Sequence, residues 1–576
     1  MSKSPSPALR DSKVWGPPLA VFLIALCIRL IGIGWGLPND HHHQSYHPDE
    51  PVIWAYSQGI EPTKLKFTPG FYNYGTLYLT TLRVASDVVA GYTGGGLDPK
   101  SPEKAWDYIG KSHLAGRILS VLAGAGTALV VLLLLRRFTT DFGAFLGGLA
   151  LAIAPGHVVH SRFQTVDVLA TFLLALSAFY ACRLLPSELD SNARASTWKL
   201  AALCGLFAGL SAGTKYTGIL ILLVPIFILI FARGKDTVKL GSIAIGVAVA
   251  AFLISTPGFL LENAKFMEGF LYETRHVKEG HGLVFEGTSS GYFYHIGNLF
   301  LGIGPIVTLL GFCALIAAAS KRMWWAGALL LFFAAYYLLI AGAEVKFIRY
   351  TFPLYVPLTV GFGWLMGQCR EWGGKWHLIV GAGLLGLGGL FGGGLISTAR
   401  FTSWMAAPDP RDLAGAFLAG KNTSVGLVED PWFYTPAIHP DLGRRLVYET
   451  GMPQVGIAGY PYFDSIVRQM TAPSIVRFVP EEGLDSRVDW DIRLLTDVKP
   501  EYVAYSSFEY ENFARISQLA NPSPVGKATV ERAEQFRDRL LVEYDFVQMY
   551  GPGLEMVHDM MYVQPTVWLW KRKPGR

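Results

Sequence analysis

The decapeptide HHHQSYHPDE, His41 to Glu50, sets four imidazoles and two adjacent carboxylates directly behind the apolar run PPLAVFLIALCIRLIGIGWGL, Pro17 to Leu37. These are the groups that hydrocarbon tolerates least. Three chemistries compete for them: a metal site built on imidazole and carboxylate, a carboxylate that takes a proton from a nucleophile at a membrane surface, or a solvated loop with no chemistry. Further ionisable residues stand near the ends of apolar runs: Lys66, Arg117, His157, His160, Arg162, Asp167, Lys215, Arg275, His276, His281, Glu344, Lys346 and Arg349. If they share one membrane face, that face combines carboxylates, imidazoles and cations. Such a face suits the binding of an anionic headgroup and the activation of a nucleophile.

Whether they share a face depends on the elements that carry them. The 576 residues are 51% hydrophobic and 16% charged, with a mean hydropathy of +0.33, against about a quarter charged in soluble domains. The chain therefore reads as a polytopic membrane protein. Its net charge of +5 is loop charge, with no basic patch that would suit nucleic acid. The five cysteines, Cys27, Cys182, Cys204, Cys313 and Cys369, lack the paired spacing of a disulfide framework or zinc ribbon. The N-terminal run reads as a retained first span or signal anchor rather than a cleaved leader.

Apolar windows long enough to span, roughly 20 residues each, number about eleven. Their cores are residues 16 to 36, 114 to 135, 142 to 159, 167 to 185, 198 to 213, 216 to 232, 239 to 256, 291 to 318, 323 to 342, 351 to 369 and 377 to 397. Short cytoplasmic loops collect Lys and Arg. With residues 1–14 cytoplasmic, Arg136, Arg137, Arg183, Lys199, Arg233, Lys235, Lys239, Lys321, Arg322, Arg370 and Lys375 all fall on the same side. An odd number of spans then puts the C-terminus outside. Phe71 to Tyr92 holds Arg83 and Asp87 and reads as a helix lying in the interface, so residues 37–113 form one long outer loop containing the decapeptide.

After residue 400 the pattern changes. TSVGLVED, RRLVYET, EYVAYSS and TVWLWKR alternate like strands, and RDLAGAFLAGK and ATVERAEQFRDRLLVEY repeat like amphipathic helices. Residues 401–576 are expected to form a soluble extracytoplasmic α/β domain behind a membrane domain of residues 15–400. The glycines of GAGLLGLGGLFGGGL read as close helix packing within the last span.

Five stretches carry a family resemblance. YHPDEPVIWAYSQG, HLAGRILSVLAGAGTALVVLLLLRR, APGHVVHSRFQTVDVLATFLLALS, GLSAGTKYTGIL and KFIRYTFPLYVP resemble, in order and sidedness, the GT-C glycosyltransferases. The specific likeness is to the family 39 group of protein O-mannosyltransferases and lipid A aminoarabinose transferases. The tail HDMMYVQPTVWLWKR looks like the end of bacterial members. A ligand-binding insert in a central outer loop, as in the protein mannosyltransferases, is not recognisable.

The resemblance implies Asp49 as the catalytic carboxylate beside Glu50, with Asp167 as the second acidic residue. It implies a polyprenyl phosphate-linked sugar donor, transferred with inversion to a hydroxyl of a glycan, lipid or protein. Candidate donor-phosphate cations are Arg349, Lys346, Arg117 and Lys215, and Arg117 is also a candidate partner for Glu50. A divalent metal on His47, His276 and His281 is implied by one bacterial branch, whereas His41, His42 and His43 read as solvated loop. The rival class is a polytopic transporter or flippase, whose charged residues would line a pathway at span centres rather than gather at span ends.

Overall fold

A computed structural model describes residues 15–39, 42, 45–93, 102–186, 197–369, 375–419, 421, 423–429, 433–436, 489–553 and 557–575. Helix α1, Gly16–Leu30, opens on Pro17 and Pro18, where a missing N–H costs nothing. The loop that follows carries α2, Asp49–Ser57, and α3, Leu77–Thr93, before α4, Pro102–Leu135. Next come α5, Asp141–Ala152; α6, Pro155–His160; α7, Val166–Arg183; and α8, Thr197–Ala212. A 3-10 turn, Tyr216–Leu222, leads into α9, Leu223–Ala232, and then α10, Thr237–Ser255, α11, Gly258–Leu261, and α12, Asn263–Glu279. The helical part closes with α13, Gly291–Ile303; α14, Pro305–Ser320; α15, Trp324–Ala341; α16, Phe352–Gln368; α17, Trp376–Gly388; α18, Gly394–Ala406; and α19, Pro410–Ala419.

The apolar windows are helical but not uniformly long. Among the described residues, four helices are long and apolar enough to cross a membrane, and the α13–α14 pair, bent by 110°, makes five if it counts as one span. Chain breaks that the sequence marks interrupt some of the windows. Pro155 ends α5 from α6, and Gly304–Pro305 bends α13 from α14, with Gly304 at φ +102°. The glycine run behaves in two ways. Gly383 and Gly386 pack on Met366 and Ile306, as expected of close helix packing. Gly389, Gly392, Gly393 and Gly394 instead have positive φ and split the window into α17 and α18. Only glycine holds such angles without strain, so for these four the packing expectation is corrected.

Helix α3 buries Tyr78, Leu79 and Leu82 and exposes Val84, Val88 and Tyr92, the amphipathic face pattern read from Phe71 to Tyr92. The C-terminal part contains a four-stranded sheet: β1, Val425–Leu427; β2, Tyr502–Ser506; β3, Tyr544–Tyr550; and β4, Val567–Arg572. The order is β1-β2-β4-β3, with β1 parallel to β2 and the other pairs antiparallel. Its helices are α20, Ser507–Ile516, which starts with a Ser506/Glu509 capping box, α21, Pro524–Glu543, and the single turn α22, His558–Met561. The strand expected at RRLVYET lies outside the described residues. An apolar seam of Trp35, Tyr46, Phe163 and Ile348 with Phe433, Phe508, Met560 and Tyr562 joins this part to the helical part.

Candidate active site

Asp49 and Glu50 are the first two residues of α2, and consecutive helical residues point about 100° apart. That angle separates their roles. Glu50 is fully buried. Arg117 grips it through Nε to Oε1 at 2.8 Å and Nη2 to Oε2 at 2.7 Å. The Gln164 backbone N–H donates to Oε1 at 2.6 Å, and the Ser45 hydroxyl donates to Oε2. Burial alone would raise the Glu50 carboxyl, but Arg117 holds it down at about 2. Arg117 spends its remaining nitrogen on the carbonyls of Ile33 and Trp35, at 2.8 and 2.5 Å.

Two expectations change here. Arg117 turns every nitrogen toward Glu50 or the carbonyls of Ile33 and Trp35, and Glu50 is fully buried, so both tie the decapeptide to α4 and to the turn before α7. Arg117→Met is expected to destabilise the protein by about 3 to 5 kcal/mol, because it strands a buried carboxylate. Since the folded Glu50 carboxyl is depressed, this difference is full above about pH 4.5 and fades as pH falls toward 2. Thermal unfolding in detergent across that range measures it.

Asp49 looks the other way, and its side chain keeps 27% of its surface open. Arg349 Nη2 lies 3.1 Å from its Oδ2. Burial would raise the Asp49 carboxyl, but the Arg349 guanidinium and His47 pull it below its ordinary value. Arg349 sits in a buried 3-10 turn, Ile348–Thr351, just ahead of α16. Its Nε lies 3.9 Å from Asp167 Oδ2, its Nη1 3.8 Å from Asp559 Oδ2, and its plane stacks over Phe347 at 4.0 Å. Asp167 stands in the first turn of α7, where the helix dipole favours a carboxylate. Lys215 Nζ donates to Asp167 Oδ1 at 2.5 Å and lies over the Tyr350 ring at 4.3 Å. Asp49, Asp167, Arg349 and Lys215 thus form one connected ionic cluster contributed by four separate elements.

Lys215 and Tyr350 also line a groove of about 1210 Å³. Its walls are apolar, with Phe252, Phe266, Phe270, Leu339 and Val249 among them, while Tyr74, Lys215, Glu273 and Tyr350 supply polar groups. The groove offers a long apolar chain a bed beside the ionic cluster.

The remaining expected residues are placed elsewhere. Lys346 is buried with its Nζ on Thr288 at 3.1 Å and near Glu344 at 3.4 Å. His47 is buried, with its ring against Phe163 and Tyr562 and its Nδ1 accepting the Asp49 backbone N–H at 3.2 Å. Burial holds its pKa down at about 4, so it is neutral at neutral pH. His276 and His281 face each other, 3.2 Å apart through ring nitrogens. Among the described residues no three His, Cys, Asp or Glu side chains are grouped to hold a metal. His42 is not solvated loop: it is buried and stacks on Tyr46 at 4.3 Å. His41 and His43 lie outside the described residues.

Three neighbours of the cluster escaped the sequence reading. Glu273 sits on α12, an amphipathic helix whose polar residues look like ordinary surface; burial raises its carboxyl. Asp559 and Tyr562 belong to HDMMY, which looked only like a domain end. An acid among four apolar or aromatic residues was the one available signal.

Residues 89–271 match the family model described as dolichyl-phosphate-mannose-protein mannosyltransferase. No curated protein sequence matches the chain. Among solved structures, it is similar to ArnT from Cupriavidus metallidurans bound to undecaprenyl phosphate, at 14% identity and a TM-score of 0.50, covering 96% of this chain and 98% of that one. It is also similar to the archaeal oligosaccharyltransferase AglB from Archaeoglobus fulgidus in complex with an inhibitory peptide and a dolichol-phosphate. There the identity is 13% and the TM-score 0.50, over 94% of this chain and 80% of AglB. The family model thus matches about a third of this multi-pass chain, and the chain as a whole shares its fold with ArnT and AglB.

Proposed function

We propose that the protein moves a sugar from a polyprenyl phosphate-linked donor to a hydroxyl acceptor, a glycan, lipid or protein, with inversion at the anomeric carbon. One observation carries this reading: the Asp49–Arg349–Asp167–Lys215 cluster stands beside an apolar groove that shares Lys215 with it. The isoprenoid chain occupies the groove and its phosphate meets Lys215 and Arg349. Arg349 Nη1 is buried without a hydrogen-bond partner among the described residues, a donor still available to a phosphate oxygen. That two proteins of this fold were solved with undecaprenyl phosphate and dolichol-phosphate supports the donor class.

The reaction then balances simply. Asp49 takes the acceptor proton, the acceptor oxygen bonds to the anomeric carbon, and the carbon–oxygen bond to phosphate breaks. Negative charge grows on the phosphate oxygens, where Lys215 and Arg349 stabilise it. The products are glycosylated acceptor and polyprenyl phosphate. The site lies on the extracytoplasmic face of the cell membrane, with residues 1–14 cytoplasmic. Arg136 and Arg137 follow α4, and Arg183 ends α7, whose first turn bears Asp167, which agrees with a cytoplasmic Lys/Arg excess.

A diazirine-bearing undecaprenyl phosphate tests the groove. It is expected to label peptides from α10 and α12, and excess undecaprenyl phosphate should abolish that labelling. Labelling confined to other helices would overturn the placement.

A further inference from the structure

The charged residues around Arg349 come from the helical part of the chain, with one exception. Asp559 belongs to α22, between the strands of the C-terminal sheet in sequence, yet it is fully buried against the membrane part. Its Oδ1 accepts the backbone N–H of Ile348 at 3.1 Å and its Oδ2 that of Arg349 at 3.3 Å. The carboxylate therefore caps the start of the 3-10 turn that presents Arg349. The same Oδ2 lies 3.8 Å from Arg349 Nη1 and 3.8 Å from His160 Nε2. Tyr562 faces the Arg349 guanidinium with its hydroxyl and packs its ring on His47 at 4.9 Å.

The segment is fastened in place. Arg411, fully buried and paired with Asp409 at 2.8 Å, donates through Nη2 to the Tyr562 carbonyl at 2.7 Å. Met560, Met561 and Val563 fill the apolar seam beside Phe163 and Ile348. Burying a carboxylate here is costly: burial raises the Asp559 carboxyl to about 6 even though Arg349 opposes the shift. A group kept at a net cost to the fold is better explained by geometry than by stability. Asp167 is shared with Lys215, and Asp49 must be free to take a proton. Asp559 alone of the three carboxylates bonds the backbone of Arg349 as well as facing its side chain.

We propose that Asp559, assisted by Tyr562, is a positioning residue for transfer: the C-terminal segment completes the active site by fixing the Arg349 guanidinium between Asp49 and the donor phosphate. The inference rests on the reading of Arg349 as a donor-phosphate ligand. It gives the C-terminal part a direct role in the chemistry that a peripheral domain would lack.

The test is a cycle of wild type, Asp559→Asn, Arg349→Lys and the double variant in proteoliposomes. Two readouts are needed: undecaprenyl phosphate binding, and turnover as polyprenyl phosphate released from a panel of polyprenyl phosphate-linked hexoses and pentoses. Asp559→Asn keeps the shape and one acceptor for the backbone N–H groups. It is expected to lower turnover about 10- to 100-fold while binding stays within about threefold of wild type. In the Arg349→Lys background the same change is expected to cost under about threefold more, because the fork that Asp559 orients is already gone. Tyr562→Phe, which deletes only a hydroxyl, is expected to show the same non-additivity on a smaller scale, and it serves if Asp559→Asn does not fold. Wild-type turnover in Asp559→Asn or in Tyr562→Phe, or a full multiplicative loss in the double variant, would overturn the positioning role alone. A wild type that releases no polyprenyl phosphate from any donor would overturn the transferase reading together with it.

Discussion

Asp49→Asn is expected to lower transfer by about 10² to 10⁴ while leaving donor binding nearly unchanged, the range over which a general base contributes. The amide keeps the carboxylate's shape, so α2 starts as before and the Glu50–Arg117 anchor one residue on is untouched. Only the proton acceptor is lost. Asp49 is the suitable base because it is the carboxylate of the cluster with an open side, whereas Asp167 and Asp559 are 5% and 1% exposed. Burial would raise the Asp49 carboxyl, and Arg349 depresses it. A donor phosphate that draws on that guanidinium is expected to return basicity to the carboxylate. Single-turnover release of polyprenyl phosphate alongside lipid binding separates the two effects. Wild-type transfer by Asp49→Asn would remove Asp49 from the role of base.

Arg349→Lys and Arg349→Ala form the second large effect. Charge builds on the phosphate as the glycosidic bond breaks, so a donor aimed there matters more in the transition state than in the resting complex. Lysine keeps a charge but loses the planar fork that reaches Asp49, Asp167 and Asp559 together, at 3.1, 3.9 and 3.8 Å. Turnover is expected to fall about 10² to 10³-fold, with a smaller loss in donor binding. Alanine is expected to be worse in both and to weaken the fold, because Asp49, Asp167 and Asp559 would all lose the guanidinium they share. Equal losses in binding with unchanged turnover would mark Arg349 as a lipid anchor rather than a participant in bond breaking.

The parts of this site that sequence made legible are those where polarity breaks an apolar pattern. Asp49 follows a membrane-length run, Asp167 opens one, and Lys215 and Arg349 sit between two. Composition alone cannot say which way adjacent side chains point: only the resemblance set Asp49 apart from Glu50, and it gave no sign that α2 turns Glu50 inward. Arg117 shows the same limit: as a cation at a span end it suits a phosphate or a carboxylate equally, and only the third dimension brings Glu50 within 2.8 Å. Asp559 lies 210 residues from Arg349, in a segment whose pattern resembles any domain end, and no local periodicity encodes such a contact. The helix breaks divide similarly. Pro155 and Pro305 are visible, whereas a glycine run reads the same to a hydropathy window whether it packs a helix or splits one.

The most direct test is the fate of a polyprenyl phosphate-linked sugar given to the purified protein in proteoliposomes with a lipid and glycan acceptor extract. Acceptor-dependent release of free polyprenyl phosphate in step with glycosylated product, lost in Asp49→Asn, is the expected result. Donor recovered intact, merely moved from one leaflet to the other, would contradict it and mark the protein as a transporter.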